Sequence, residues 1–342
     1  MKQHPTHPPG VVVLYNESQN LIKGESQDIL AEKSVIPCAS FIADALKDYF
    51  EVVKVPIYTD VEIALAPYPP TQWVVFNLGE GVAGRLFEWA RIAWALEAMG
   101  YCFTGASGNA LAITSHKQHT KYRLRQANIP SPRGWLFRTS SEVRVDFDFP
   151  VIVKPLVEDG SLGIENSAVV FNLNELKHRV DYIYHTYRQT ALVEEFITGR
   201  EINIAIWNNP PEVLPFCEID FSDYPDPYKQ IVSFAAKWEV NSFDYDHTPG
   251  ICPANTDPEL TERLTQIALE TWKGLECKDY ARIDTRVDYN GNPYVIEVNC
   301  NPDLSPDAGF YRSVRAAGYS YQQMILKILE AAMNFSIQWD TG

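Results

Sequence analysis

The sequence predicts an α/β protein whose C-terminal part changes to an α+β arrangement. Near-continuous apolar runs at 11–15, 51–58 and 73–78 are typical of parallel strands covered on both faces. From residue 150 onward, short strands separated by glycine-bearing turns replace this pattern. We therefore expect an open parallel sheet followed by a region built from hairpins and antiparallel strands.

Each further element follows from its local pattern. Apolar spacing predicts a helix over 84–99, and "GYCFTG" predicts a strand over 100–105. A helix over 114–128 is ended by the prolines of "IPSPRG". Later strands are expected at 150–155, 167–171, 191–197 and 202–208, and later helices at 258–275 and 321–332. The long polar stretch 222–251 reads as a lid or binding loop. Three domains are expected, with bounds 1–112, 113–198 and 199–342.

Composition excludes several classes of protein. The 342 residues carry a formal net charge of −15, which argues against a nucleic-acid partner because phosphate backbones need a basic surface. The six cysteines form no CxxC pair, as expected for reduced thiols. With neither an apolar leader nor a run of membrane-spanning length, we expect no membrane association and a cytoplasmic location.

The segment 281–302 places ionisable side chains between apolar ones. Asn290-Gly291 predicts a hairpin with a two-residue type I′ turn. In that register Asp284 lies opposite Glu297, and Arg282 lies opposite Asn299. Since side chains alternate along a strand, these four share one face. The other face would carry Ile283, Thr285, Val287, Tyr289, Tyr294, Ile296 and Val298 toward the core.

Two readings of this face stay open from the hairpin alone. Facing carboxylates about 4 Å apart repel by roughly 4 kcal/mol at an effective dielectric near 20. Solvent can screen that repulsion on an edge hairpin. Alternatively, a hard cation such as Mg²⁺ can bind carboxylate and amide oxygens, with Arg282 suited to a phosphate oxygen.

Four other motifs each allow an ordinary interpretation beside a functional one. Lys154 and the glycines of "EDGSLGI" form an anion-binding loop or a hairpin turn. In "LVEEFITGRE", Glu194 and Phe196 line a nucleoside slot or an amphipathic strand. Lys117 and Lys121 lie on one helix face, for which a solvated basic face is the default. Lys237 lies in the predicted lid beside Trp238, where the default is an exposed lysine.

The order of these motifs resembles the ATP-grasp superfamily, and within it the D-alanine–D-alanine ligases. The similarity covers roughly residues 100–330, and the block "ARIDTRVDYNG-PYVIEVN-NP" carries most of it. The resemblance implies a three-domain ATP-grasp fold with ATP between two β-sheets of the central and C-terminal domains. It also implies cytoplasmic homodimers.

The resemblance also implies a role for individual residues. Lys117 and Lys154 match lysines that reach the nucleotide phosphates, and Ser161 is what remains of a tandem serine in the phosphate loop. Arg282 matches the arginine that steadies the transferred phosphoryl group, and Lys237 matches the lid lysine. The nucleoside would be held by Glu194, Glu195, Phe196 and, at the ribose, Glu201. The Mg²⁺ ligands, with Mn²⁺ as an alternative ion, would be Asp284, Glu297 and Asn299.

The substrate half departs from the family pattern. Gly160 replaces the first tandem serine, Asp303 stands at a glycine position, and Ala308 stands where a serine helps to hold the second substrate. "FNLGEGVAGR" replaces an N-terminal signature, and Trp238 replaces a Tyr or Phe. A zwitterionic amino acid needs a carboxylate and a cation for its two charges. The candidates are Glu17, Glu80, Asp303 and Arg312.

The expected function is therefore an ATP- and Mg²⁺-dependent ligase. It would join an acyl phosphate, or a phospho-activated carbonyl, to an amino acid through a C–N bond. The altered substrate half favours specialised metabolism, such as the synthesis of mycosporine-like amino acids. The alternatives are a D-alanine–D-alanine ligase, an L-amino-acid dipeptide ligase and, in another class, a non-catalytic nucleotide-binding protein.

Overall fold

The predicted parallel sheet forms the N-terminal part of the molecule. The computed structural model describes residues 10–18, 20–85, 87–208 and 210–333. Its first sheet has the strand order β2-β1-β3, with both neighbours parallel to β1. The elements are β1 (Gly10–Asn16), α1 (Ile29–Leu46), β2 (Val52–Ile57), α2 (Val61–Leu65), β3 (Trp73–Leu78), α3 (Trp89–Met99) and α4 (Gly108–Thr114). Mixed helices and sheets confirm the α/β class.

Two predictions in this part are wrong. Segment 100–105 makes only one isolated parallel bridge, between Val75 and Phe103. Pairing stops there because the Thr104 hydroxyl accepts the Asn77 N–H at 3.0 Å in place of a backbone carbonyl. The helix predicted from residue 84 begins at Trp89, since the backbone before it takes positive φ angles that a helix does not allow, at Ala83, Gly84 and Phe87.

The central sheet is antiparallel and has the order β4-β7-β5-β6. Its elements are α5 (Lys117–Gln126), β4 (Gly134–Phe137), β5 (Val151–Pro155), β6 (Val169–Val170), α6 (Leu173–Tyr187) and β7 (Ala191–Glu195). Helix α6 was not predicted, although it has a clear start signal. The Asn172 side chain caps it by accepting the N–H groups of Asn174 and Glu175.

The C-terminal sheet has the order β11-β10-β8-β12-β13, and β9 pairs with β8. Its elements are β8 (Arg200–Trp207), β9 (Glu212–Val213), β10 (Cys217–Ile219), α7 (Phe234–Trp238), α8 (Phe243–Asp246), β11 (Gly250–Ile251), α9 (Pro258–Gly274), β12 (Tyr280–Val287), β13 (Pro293–Asn299), α10 (Gly309–Ala316) and α11 (Tyr321–Met333). The expected helices at 258–275 and 321–332 are confirmed, and α10 was missed. Helix α11 packs on α1 in a buried core shared with the first sheet. None of the helices within the described ranges has both the length and the apolar character that crossing a membrane requires.

The β12–β13 hairpin keeps the predicted register at the acidic face but not the predicted turn. Asp284 pairs with Glu297, and Arg282 with Asn299. Gly291 has a positive φ of 79°, whereas Asn290 does not, so the turn is not of type I′. The loop instead closes over five residues, 288 to 292, through a backbone hydrogen bond of 3.0 Å between its ends.

A β-bulge compensates for the longer loop. Pairing shifts by one residue between Asp284 and Thr285, which leaves Ile296 as the extra residue of β13. The prediction that Tyr294 and Ile296 face the core is therefore wrong. Val295 is buried in the core, while Tyr294 and Ile296 are only partly buried, and Ile296 lines the cleft described next.

Candidate active site

A cleft of about 1050 Å³ runs between the central and C-terminal sheets and continues to the carboxyl end of β3. Every predicted site residue except Glu17 lines it. Glu17 is instead hydrogen-bonded at 3.4 Å by the Tyr58 hydroxyl. The structure therefore does not bring Glu17 to the cleft, because the chain after β1 carries its side chain toward β2.

Asp284 is the centre of a dense polar cluster on β8, β12 and β13. Arg282 binds it with two N–H groups, Nε to Oδ1 at 2.7 Å and Nη2 to Oδ2 at 2.8 Å. Asn203 Nδ2 donates to Oδ1 at 2.9 Å, and Asn299 Nδ2 donates to Oδ2 at 3.1 Å. Asn203 was missed by the sequence analysis. Its only signal was a single amide inside the apolar strand "INIAIW".

Glu297 completes this face and contacts the other wall of the cleft. Its Oε1 lies 3.3 Å from Lys117 Nζ. Burial opposes ionisation of Glu297, but Lys117, Lys237 and Lys154 outweigh burial and hold its pKa below the usual range. Because the carboxylate is ionised at neutral pH, it is competent to bind a cation.

The predicted metal donors fit Mg²⁺ in kind and number. Two carboxylates and one amide, from Asp284, Glu297 and Asn299, share a face, and Mg²⁺ takes such oxygens while keeping positions for water and phosphate. The described residues include no cluster of three or more His, Cys, Asp or Glu that could hold a metal. The donor set therefore depends on the amide as its third member.

Glu194, on β7 of the central sheet, binds one lysine from α5 and one from β5. It is almost fully buried and binds Lys121 Nζ at 2.5 Å and Lys154 Nζ at 2.9 Å. Burial opposes its ionisation, but the two lysines lower its pKa to about 2. The solvated basic face assigned by default to Lys117 and Lys121 is wrong, since their side chains are 15% and 12% exposed.

The strand end that follows Glu194 leads to the end of the cleft that is predicted to bind the nucleoside. The Glu195 carboxylate pairs at 2.5 Å with Arg133, the residue directly before β4. The Phe196 ring lies 6.1 Å from that of Tyr228 and below the guanidinium of Arg286. Arg286 was missed, although it continues the two-residue alternation of Arg282 and Asp284 in "RIDTR".

The predicted lid is hydrogen-bonded to the loop that is predicted to bind phosphate. Trp238 Nε1, at the end of α7, donates to Gly160 O at 2.7 Å. The Ser161 hydroxyl donates to Val232 O at 2.8 Å, and the Phe234 N–H donates to Ile164 O at 2.7 Å. These bonds hold Lys237 on the cleft wall, where its charge lowers the pKa of Glu297.

The part of the cleft that is predicted to bind substrate is lined by the acids Glu80 and Asp303 and by Arg312. Burial and the nearby charges of Asp303 and Asp159 raise the pKa of Glu80 well above its usual value. Asp303 accepts hydrogen bonds from the Ser305 N–H and hydroxyl at 2.8 and 2.7 Å. Arg312 extends along Gly250, and its Nη1 donates to Asp307 O at 2.9 Å.

The cleft lies between two sheets. Lysines line one side of it, and the face with Arg282, Asp284, Glu297 and Asn299 lines the other. This arrangement defines an ATP-grasp protein. Two solved structures of D-alanine–D-alanine ligase from Bacillus anthracis, one of them complexed with ATP, have the same fold. Each matches with a TM-score of 0.70 and covers 96% of this chain and 98% of its own, at 20% and 21% sequence identity.

Sequence comparison assigns the family. The family model described as D-ala D-ala ligase C-terminus matches residues 128–330. An uncharacterized Sinorhizobium fredii protein is 34% identical over 81% of this chain and 80% of its own. D-alanine–D-alanine ligases of Carboxydothermus hydrogenoformans and Haemophilus influenzae are 30% and 27% identical, over 72% and 78% of this chain and 78% and 89% of their own. The chain belongs to the D-alanine–D-alanine ligase family and is an ATP-grasp ligase of that type.

Proposed function

We propose that the chain is an ATP- and Mg²⁺-dependent, ADP-forming ligase. It joins a carboxylate or carbonyl substrate to an amino acid through a C–N bond. The observation that carries this proposal is the single face bearing Arg282, Asp284, Glu297 and Asn299 next to Lys117. A protein that only bound a nucleotide would not need this complete set of phosphoryl-transfer groups.

Different side chains have different roles in phosphoryl transfer. Lys117 and Lys154 bind the nucleotide phosphates, and Glu194 holds Lys154 in place. Arg282 and Lys237 neutralise charge that develops on the transferred group. Asp284, Glu297 and Asn299 hold Mg²⁺, which screens the phosphate charges when bound.

The reaction needs positioning rather than a side-chain nucleophile. An oxygen of the first substrate attacks the γ-phosphorus, and the bond from that phosphorus to the β,γ-bridging oxygen breaks as ADP leaves. The amine nitrogen of the second substrate then attacks the activated carbon. Its C–O bond to phosphate breaks, phosphate departs, and the amine loses a proton. For a carboxylate this gives an amide, whereas for a carbonyl it gives an imine or enamine linkage.

The substrate half supports an amino acid other than D-alanine. Glu80 and Asp303 supply negative charge for an ammonium group, and Arg312 supplies a cation for a carboxylate. Burial and nearby acids raise the pKa of Glu80 and so favour its neutral form, and the positive charge of a bound ammonium group would favour its ionised form. Ala308 begins α10 without any side-chain cap, so the hydroxyl expected there is missing. We place the reaction in specialised metabolism, with mycosporine-type acceptors as one candidate class.

Amino-acid-dependent ADP release tests the proposal. The purified protein is given ATP and Mg²⁺ with a panel of D- and L-amino acids, singly, in pairs and with cyclic enone acceptors, and products are weighed by mass spectrometry. We expect ADP and phosphate to appear with a product that contains an amino acid other than D-alanine. D-alanine alone driving normal turnover would contradict the reading of the substrate half. No turnover with any combination, together with tight ATP binding, would favour the non-catalytic alternative.

A further inference from the structure

Arg286 binds Glu201 at the nucleoside end of the cleft. The two residues lie directly opposite each other on β12 and β8. Arg286 Nη1 lies 3.1 Å from Glu201 Oε2, and their side chains are 5% and 10% exposed. Opposite charges that face each other across a ladder stabilise the pairing. Both residues of this ion pair line the cleft.

The guanidinium is held from several sides, which makes it a rigid support. Its Nη1 donates to Gln230 O at 2.6 Å, its Nε donates to Ile197 O at 3.1 Å, and its Nη2 donates to Gly199 O at 3.3 Å. These three carbonyls belong to the chain between β7 and β8 and to the segment before α7. Arg286 therefore connects the β7–β8 loop and the segment before α7 to the same carboxylate.

The aromatic side chains around Arg286 complete a binding surface. The centre of the guanidinium lies 5.4 Å from the Phe196 ring centroid and 5.9 Å from that of Phe221. Cation–π contacts of this kind restrict the plane of the guanidinium. A carboxylate fixed by such a planar donor keeps a second oxygen as an acceptor for hydroxyl donors.

We propose that Arg286 is a positioning residue that orients Glu201 to accept a ribose hydroxyl of the nucleotide. The inference rests on the proposed function, because it assumes that the nucleoside occupies this end of the cleft. Lysine cannot replace arginine here, since one ammonium cannot bind Glu201 and three carbonyls in one plane. Arg286 thereby sets the preference of the site for ribose over deoxyribose.

Nucleotide binding without turnover tests the inference. Dissociation constants of ADP, 2′-deoxy-ADP and 3′-deoxy-ADP are measured by calorimetry for the wild type, Arg286→Met, Arg286→Lys and Glu201→Gln. In the wild type we expect at least one deoxynucleotide to bind about tenfold or more weakly than ADP, as for loss of a hydrogen bond to a charged group. In all three variants this ratio should fall to within about threefold of unity. Arg286→Lys keeps the test usable if Arg286→Met fails to fold.

A matched control variant distinguishes orientation of the Glu201 carboxylate from general support of the fold. Arg200→Met removes another guanidinium–carboxylate pair of β8, the one with Glu218 outside the cleft, and should leave the ratio unchanged. If the Arg286 variants weaken ADP and both deoxynucleotides by the same factor, Arg286 only supports the fold and the inference is overturned. If the wild type binds ADP without any preference for ribose, the inference also fails, while the nucleotide site stands. If the wild type binds no ADP, the proposed function fails and the inference falls with it.

Discussion

Arg282 covers both carboxylate oxygens of Asp284, at 2.7 and 2.8 Å. With the amides of Asn203 and Asn299 added, four donors meet the four lone-pair sites of one carboxylate. A metal ion at Asp284 therefore has to displace a donor. Asp284, Glu297 and Asn299 are the residues that would hold Mg²⁺ here, and the ion would screen the phosphate charges of the nucleotide.

Replacing Arg282 tests this arrangement. Arg282→Lys keeps a positive charge but cannot bind both oxygens of Asp284 in one plane. We expect kcat to fall about 100-fold or more, because a preorganised guanidinium no longer neutralises the charge on the transferred phosphoryl group in the transition state. We expect the affinity for ADP to change little. Steady-state kinetics and ADP titration measure the two effects. A kcat within about threefold of the wild type would show that Arg282 is not needed in the transition state.

Glu194→Gln is expected to destabilise the protein. Glu194 has a folded-state pKa of about 2 against an ordinary value of 4.5, and each unit corresponds to about 1.4 kcal/mol, so the loss at neutral pH should be about 3 kcal/mol. Its folded pKa is lowered, so this contribution is complete above about pH 4.5 and disappears as the pH falls toward 2. Urea unfolding at neutral and acidic pH measures the difference.

The control for Glu194→Gln is a variant of a more exposed ion pair. Glu218→Gln removes a carboxylate that binds Arg200 at 2.7 Å with side chains 22% and 37% exposed, and it should cost less than about 1 kcal/mol. Equal losses for the two variants, or a loss for Glu194→Gln that does not shrink at low pH, would contradict the role of the buried lysine–glutamate–lysine cluster.

Trp238→Phe should weaken closure of the lid. The substitution removes the indole N–H that binds Gly160 O at 2.7 Å and keeps an aromatic ring in place. One hydrogen bond contributes about 1 kcal/mol, so KM for ATP should rise about fivefold. Glu218→Gln changes a residue that does not line the cleft and should leave KM unchanged. An unchanged KM for Trp238→Phe would mean that this contact does not contribute to nucleotide binding.

The face that carries Arg282, Asp284, Glu297 and Asn299 could be predicted from the sequence because its residues lie two apart on strands. The register at Asp284 and Glu297 was right although the turn was wrong, because the bulge at Ile296 offsets the longer loop. No local sequence pattern indicates that a longer loop and a β-bulge will offset each other. Asn203 could not be found in this way, since its role arises only where β8 pairs with β12.

Other features depended on the tertiary structure. Helix α10 was missed because its start at Ala308 has no capping side chain. Glu194 looked like a nucleoside contact on its strand, but its two lysine partners come from α5 and β5. Glu17 was a candidate because an amino acid substrate needs a carboxylate for its ammonium group, whereas the direction of a side chain in a loop cannot be read from the sequence alone.

The most direct test of the account is turnover of Glu297→Gln. The substitution keeps the size of a residue whose carboxylate is held ionised by neighbouring lysines, and it removes the charge that would bind Mg²⁺. We predict that amino-acid-dependent ADP release falls at least about 100-fold, with a melting temperature within about 4 °C of the wild type, while Glu218→Gln keeps full activity. Undiminished, Mg²⁺-dependent ADP release by Glu297→Gln would contradict the assignment of this face as the phosphoryl-transfer site.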